Sequence, residues 1–227
     1  MSKLDRIFTS LFIILESLIF IVFLYLDFST SHDSDSLKYL SIVIIILFLS
    51  SCLIAKIKIN KITFIALIFT LIAATFLLLI DKYYSIGLTS FIIVQSLYFY
   101  EITKYISKRN IKTNIILRLL IIIISLIYLI YNKEVDVSLS LIYILFFILN
   151  IISLFFSKIK ERRLLLLGLI IFLCCDLCVG LYNFGNYIDI PINIKYTLES
   201  LTENLMWLFY LPSQVIITLY TKKVHFE

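Results

Sequence analysis

The sequence predicts an all-α fold: a polytopic membrane protein, one eight-transmembrane-helix bundle forming a single integral membrane domain over residues 1–227. Three observations predict it. The chain is 62% hydrophobic and only 15% charged, too apolar to give a soluble domain its polar surface. Its apolar residues gather into eight runs, each close to the roughly 20 residues that cross about 30 Å of hydrocarbon at 1.5 Å per residue. Its basic residues alternate between the two ends of those runs, as they do where positive charge sets orientation.

The first run extends from about Ile7 to Leu26, after Lys3 and Arg6. It is longer than the apolar core of a secretory signal and lacks a small-residue cleavage site, so it is expected to be a retained span. The others run from about Tyr39 to Ala55, Ile62 to Ile80, Tyr84 to Tyr105, Ile115 to Tyr131, Val137 to Ser157, Leu164 to Asn183 and Leu201 to Tyr220. Of the 20 Lys and Arg residues, 15 fall at one set of ends, from Lys3 and Arg6 to Lys222 and Lys223. The other set holds Lys38, Lys82, Lys133 and Lys195, and Arg118 lies one turn inside the fifth run, where it is expected to snorkel to the basic side. A missed or extra span would scramble this order. The expected location is therefore the inner (plasma) membrane, multi-pass, with both termini cytoplasmic. The net charge of +5 is absorbed by this topology, and no nucleic-acid partner is expected.

Two linkers, both on the less basic side, are long. Asp27 to Lys38 carries Asp27, Asp33 and Asp35. Phe184 to Ser200 carries Pro191, Phe184, Tyr187 and Tyr196, and reads either as an interfacial loop with anchoring aromatics or as a lid over a pocket.

The seventh run contains FLCCDLCVGLYN, Phe172 to Asn183, which places Asp176 in the hydrocarbon. A carboxylate there costs about 2.5–3.5 kcal/mol on the lenient insertion scale, so its presence needs a reason. Gly168, Phe172, Asp176, Gly180 and Asn183 recur at helical spacing and share one small, polar face. Either the glycines admit a neighbouring helix and Asp176 finds a hydrogen bond, or Asp176 is functional. The eighth run has a matching stripe of Glu203, Trp207, Tyr210, Gln214 and Thr218, with Pro212 beside it to bend the helix and release the carbonyl of Leu208. Glu16, near the middle of the first run with Thr9 on the same face, is a second buried carboxylate. It reads as one half of an acid/base pair or as a hydrogen-bonded structural group.

The fourth run adds Gln95 and Tyr98 one turn apart, with Glu101 near its basic end; the third offers Thr75, and Asn150 in the sixth reads as an interhelical hydrogen bonder. Cys175 and Cys178 form a C-x-x-C, but without a nearby His they behave as small apolar residues, as do Cys52 and Cys174. His32 and His225 lie outside the runs, so no metal site and no cofactor is expected, and no phosphate-binding glycine loop or hydrolase nucleophile motif is present.

Gly168, Phe172 and Asp176 in the seventh run, Tyr210 and Gln214 in the eighth, and Lys38, Tyr39 and Leu40 at the second resemble the YhhN-type lysoplasmalogenase family, over most of the chain. That resemblance implies a small eight-span membrane enzyme that hydrolyses the vinyl-ether bond of a lysoplasmalogen to an aldehyde and a glycerophospho head group. It implies Asp176 as the group that protonates the vinyl ether or activates water, and Gln214, Tyr210 and Gln95 as residues that orient head group or water. Tyr98, Asn183 and Thr75 complete the expected substrate-binding set. The sequence departs from the family at two places: the usual Gly-Asp pair of the third run is Ala74 and Thr75, and the usual His of the fourth, between Phe91 and Tyr98, is Gln95. Thr and Gln hydrogen-bond but do not exchange protons near neutral pH, so Glu16 is the candidate second carboxylate. The partners expected are membrane lipid and a lysophospholipid substrate. The alternative is a non-catalytic lipid or small-molecule binding or transport protein that uses the same polar centre. Central breaks in both halves would favour a transporter, and only Pro212 offers one.

Overall fold

The computed structural model describes residues 3–29, 34–80, 82–157, 162–184 and 191–223. His32, Asp33, Lys158, Lys160, Tyr187 and His225 lie outside the described residues. Among the described residues every element is helical: α1 (Lys3–Ser29), α2 (Asp35–Ile54), α3 (Lys61–Ala74), a π-helical turn (Thr75–Leu79), α4 (Tyr84–Thr103), α5 (Lys108–Asn132), α6 (Val135–Phe155), α7 (Arg162–Phe184) and α8 (Ile192–Lys223). Seven of these, α3 counted with its π turn, are long and apolar enough to cross a membrane, so the chain is built as a multi-pass membrane protein.

The remaining helix, α8, is 32 residues long, but Lys195, Glu199, Glu203, Asn204, Pro212, Ser213 and Gln214 lower its hydropathy. It begins well before Leu201, so the second half of the expected Phe184 to Ser200 linker is helix. Pro191 explains the early start: its carbonyl accepts from the amides of Ile194 (2.9 Å) and Lys195 (3.1 Å), and its ring presets the first turn. Lys195 and Glu199, four residues apart, then pair at 3.8 Å along the helix face. The helix continues through Pro212.

The chain forms two compact units, Met1–Ile57 with Leu167–Tyr220, and Lys58–Leu166 with Thr221–Glu227. In the first, α1 buries Asp5, Phe12, Glu16, Ile19 and Phe23, a single stripe at helical spacing. Its other faces expose Leu11, Ile14, Leu18 and Ile21, the side chains a lipid-facing surface requires. Ile19 and Phe23 pack with Leu211 of α8, and Leu37 and Ile44 of α2 close around them. Two turns nearer the start of α1, Phe12 stacks on Phe48 of α2, with ring centroids 4.2 Å apart. Helices α7 and α8 meet where α7 has no side chain: a Cβ on Gly168 would sit 2.8 Å from Cγ1 of Ile217. That is the close approach small residues permit between membrane helices.

In the second unit Asn60 caps α3, its Oδ1 accepting from the amides of Ile62 (3.0 Å) and Thr63 (3.3 Å). Helix α3 packs along α4, α4 on α6, and α5 on α6. Gly87 of α4 lies so close to the π turn that a Cβ would fall 2.5 Å from Cγ of Leu77. Polar side chains join the other pairs. Ser85 donates to Asp136 at 2.5 Å, Ser138 to the carbonyl of Ser125 at 2.8 Å, and the Asn114 amide to Ser153 at 2.9 Å.

Candidate functional site

The expected site residues divide between the units: Glu16, Asp176, Asn183, Tyr210 and Gln214 in the first, Thr75, Gln95 and Tyr98 in the second.

In the first unit, Glu16 is 2% exposed, and its Oε2 accepts from the hydroxyl of Ser41 at 2.5 Å. Its Oε1 is buried without a hydrogen-bond partner. Ser41 lies on the stripe by which α2 packs inward, Lys38, Ser41, Ile45, Phe48 and Cys52, so the i, i+3, i+4 pattern of α2 is the signal that could have found it. A carboxylate held through one oxygen and bare at the other is oriented, and its second oxygen remains able to receive or give a proton.

On α7, Gly168 and Phe172 are buried, Asp176 is half-buried, Gly180 is exposed and Asn183 is half-buried, its amide donating to the carbonyl of Val179 at 2.9 Å. The expected packing face is thus corrected beyond Asp176. A Cβ on Gly180 would meet nothing within 4 Å, so Gly168 admits a neighbour and Gly180 does not. Asp176 stands where the packed part of α7 gives way to its open part.

An aromatic ladder leads away from that position. Phe172, one turn before Asp176, meets Tyr210 of α8 edge-on at 5.6 Å, and Tyr210 meets Trp207 edge-on at 5.3 Å. The ammonium of Lys38 lies 5.0 Å above the Trp207 ring. Lys38 also bridges Asp27 at 3.3 Å and Asp35 at 3.2 Å, with Ser34 donating to Asp27. Only 6% of this lysine is exposed, so the cluster is a buried charge clamp joining the C-terminal end of α1 to the N-terminal end of α2, against Trp207 of α8. The sequence marked Lys38 as a basic residue of the less basic side and as part of the Lys38, Tyr39, Leu40 resemblance, not as the centre of an ion-pair cluster. Its burial follows from carboxylates before and after it in the chain, and pairing across a loop cannot be read from spacing.

The α8 stripe is graded: Glu203 is exposed, Trp207 half-buried, and Tyr210, Gln214 and Thr218 buried. Gln214 Nε2 donates to Ser213 Oγ at 3.3 Å, its Oε1 has no hydrogen-bond partner, and its backbone carbonyl is taken by Thr218 at 2.7 Å. Ser213 in turn donates to the carbonyl of Tyr210 at 2.5 Å.

In the second unit, Thr75 opens the π turn. Its hydroxyl donates to the carbonyl of Leu71 at 2.8 Å, and its own carbonyl accepts from Ile80, five residues on, at 2.9 Å. Gln95 and Tyr98 are fully buried. Asn150 is the interhelical bonder expected, its amide donating to both Oε1 (2.9 Å) and the backbone carbonyl (2.8 Å) of Gln95.

Arg118 is a correction. It does not snorkel: it is 7% exposed, its Nη2 donates to Asn150 Oδ1 at 2.7 Å, and its guanidinium lies 4.2 Å from the Phe99 centroid and 4.4 Å from that of Phe146. Two aromatic faces and a strong amide acceptor offer more than the headgroup region would at that depth, so the side chain turns inward. Among the described residues no group of three or more His, Cys, Asp or Glu side chains is placed to hold a metal ion.

Residues 34–221 match the model of the YhhN family. No curated protein matches the chain, and no solved structure does.

Proposed function

Because the chain belongs to the YhhN family, as the match over residues 34–221 shows, we propose that it hydrolyses the vinyl-ether bond of lysoplasmalogen-type lipids, with Asp176 and Glu16 as its intramembrane carboxyl groups. In this reading α8 is the eighth span, the protein lies in the plasma membrane, and both termini are cytoplasmic, since only eight spans preserve the basic alternation.

The reaction needs a proton on the vinyl carbon remote from oxygen, then addition of water to the resulting oxocarbenium ion. The hemiacetal formed collapses to an aldehyde and the free hydroxyl of the glycerophospho group, returning the proton. One carboxyl group gives the first proton and a carboxylate takes one from water, which exchanges their protonation states. During the collapse the first takes the hemiacetal hydroxyl proton and the second protonates the departing glycerol oxygen, so both end as they began. Asp176, the less buried of the two, meets the vinyl ether; Glu16, oriented by Ser41, serves the water. Tyr210 and Gln214 orient water and head group, and Asn183, at the open end of α7, adds a polar contact. The observation that carries this reading is that one compact unit holds both carboxyl groups, with Glu16 presenting an oxygen that has no hydrogen-bond partner among the described residues. Thr75 spends its hydroxyl on its own helix, which leaves the acid chemistry to Glu16 and Asp176.

The test is aldehyde release from a lysoplasmalogen by membranes containing the protein. Asp176→Asn and Glu16→Gln should each lower turnover by about a hundredfold or more. Unchanged turnover in both variants removes the acid/base assignment.

A second reading, non-catalytic binding of a lipid or small molecule, is favoured by one observation: the positions where the family carries Asp and His are Thr75 and Gln95, each engaged in protein hydrogen bonds. It predicts saturable lysolipid binding with no aldehyde released.

A further inference from the structure

The Arg118 cluster asks for something the protein does not supply. Asn150 spends its one acceptor on Arg118 and its amide on Gln95, and Gln95 spends its side-chain acceptor on Asn150. What these three side chains have left is all donor: Arg118 Nε and Nη1, and Gln95 Nε2, buried and without partners. Tyr98, one turn from Gln95 on α4, adds a buried hydroxyl that is also unpartnered. Among the described residues no carboxylate forms an ion pair with Arg118. A guanidinium does not lose its proton in a protein, so the cluster carries a full positive charge. The Phe99 and Phe146 faces, the Asn150 amide oxygen and, at 3.5 Å, the Phe146 carbonyl offset part of that charge without neutralising it, and all the acceptors fall on Nη2.

Arg118 is the first-turn cation of the apolar part of α5. Lys108, Arg109 and Lys112 lie in the turns before it, exposed at the basic end. Such a segment concentrates anionic head groups at the membrane surface. We propose that the Arg118, Gln95 and Tyr98 donors form a binding site for a phosphate-type oxyanion, borne by a membrane lipid or free in solution. The fork of Arg118 takes two oxygens of the anion, and the Gln95 amide and Tyr98 hydroxyl take others. Phe99, the half-buried ring of the pair, turns aside to admit it. The site lies wholly within the second unit and does not depend on vinyl-ether hydrolysis.

The experiment uses the full-length protein in a phosphate-free maltoside micelle, with three probes: oleoyl lysophosphatidic acid, inorganic phosphate, and monooleoylglycerol, which has the same chain but no phosphate. Lysophosphatidic acid has no vinyl ether, so its binding is independent of turnover. It should bind saturably and raise the melting temperature, while monooleoylglycerol does neither. Arg118→Gln should weaken binding at least tenfold, Arg118→Lys less, and Tyr98→Phe and Gln95→Leu about threefold to tenfold each. Tight binding of lysophosphatidic acid with weak binding of inorganic phosphate identifies a lipid ligand; equal affinities identify the free anion. Equal stabilisation by monooleoylglycerol overturns the proposal, as does unchanged affinity in Arg118→Gln. If Arg118→Gln does not fold, the comparison of the phosphate-bearing and phosphate-free lipids on the unaltered protein decides it.

Discussion

Two glycines on one face of α7 should respond to the same substitution in opposite ways. At Gly168 a Cβ would lie 2.8 Å from Ile217 Cγ1, 3.3 Å from Ile216 Cγ2 and 3.4 Å from the carbonyl oxygen of Ser213; at Gly180 it would meet nothing within 4 Å. Alanine at either site gains the same helix propensity over glycine, up to about 1 kcal/mol. Only Gly168→Ala must also make room. Ordinary carbon contacts begin near 3.4 Å, and Ile217 is fully buried, so α8 must shift or Ile217 must leave its rotamer. Overpacking of this kind costs about 1–3 kcal/mol. Because the propensity gain cancels between the two variants, their difference isolates the steric cost. Gly168→Ala should therefore lie about 1–3 kcal/mol below Gly180→Ala, and a chain of this size then melts roughly 2–12 °C lower. Melting of the purified protein in detergent reads this directly. Gly180→Ala should equal or exceed the unaltered protein. Equal melting of the two variants would refute the close approach of α7 to α8, and with it the placement of Phe172 against Tyr210 beside Asp176.

The Lys38 clamp gives a second test. Lys38→Met leaves Asp27 buried without its cation and should cost about 3–5 kcal/mol in a melt, and the double variant Lys38→Met/Asp27→Asn should recover much of it. Asp35→Asn, whose side chain is 46% exposed, should cost under about 1 kcal/mol. Ser41→Ala removes the hydroxyl that orients Glu16. It should cost about 1–3 kcal/mol of stability and lower aldehyde release, and a cycle with Glu16→Gln should show coupling between the two sites. Independent, additive effects would show that Ser41 does not act through Glu16. Finally, if α8 spans the membrane, reporters fused to the two termini must appear on the same side; opposite sides would leave seven spans.

How much of this was legible beforehand depends on the range of the interaction concerned. Membrane character, the α1 to α7 spans and the Asp176 anomaly follow from local composition and 3.6-residue periodicity, which depend on neighbours in the chain. The α8 boundary was less accessible, because Pro191 can end a loop or start a helix and the charged pair after it suits either. The polar candidates could be picked out of the apolar runs, but their hydrogen-bond partners could not. Glu16 and Gln214 were visible as polar groups in apolar runs, whereas Ser41 as the partner of Glu16 required the packing of α1 against α2.

Arg118 shows the difference most clearly. Its position one turn inside an apolar run fits snorkelling and burial equally, and the choice rests on Phe99, Phe146 and Asn150, which arrive from α4 and α6. Gly168 and Gly180 make the same point without charge: identical residues on one helical face, one pressed against Ile217 and one facing open space. By itself the sequence determined a membrane-embedded helical chain with carboxyl groups at improbable depths, since hydropathy and desolvation are properties of each segment. Which of those groups is oriented, that Arg118 turns inward onto two aromatic faces, and which glycine admits a neighbour were decided only by tertiary structure. Hydrogen bonds and van der Waals contacts act within a few ångströms, between atoms that the chain places tens of residues apart.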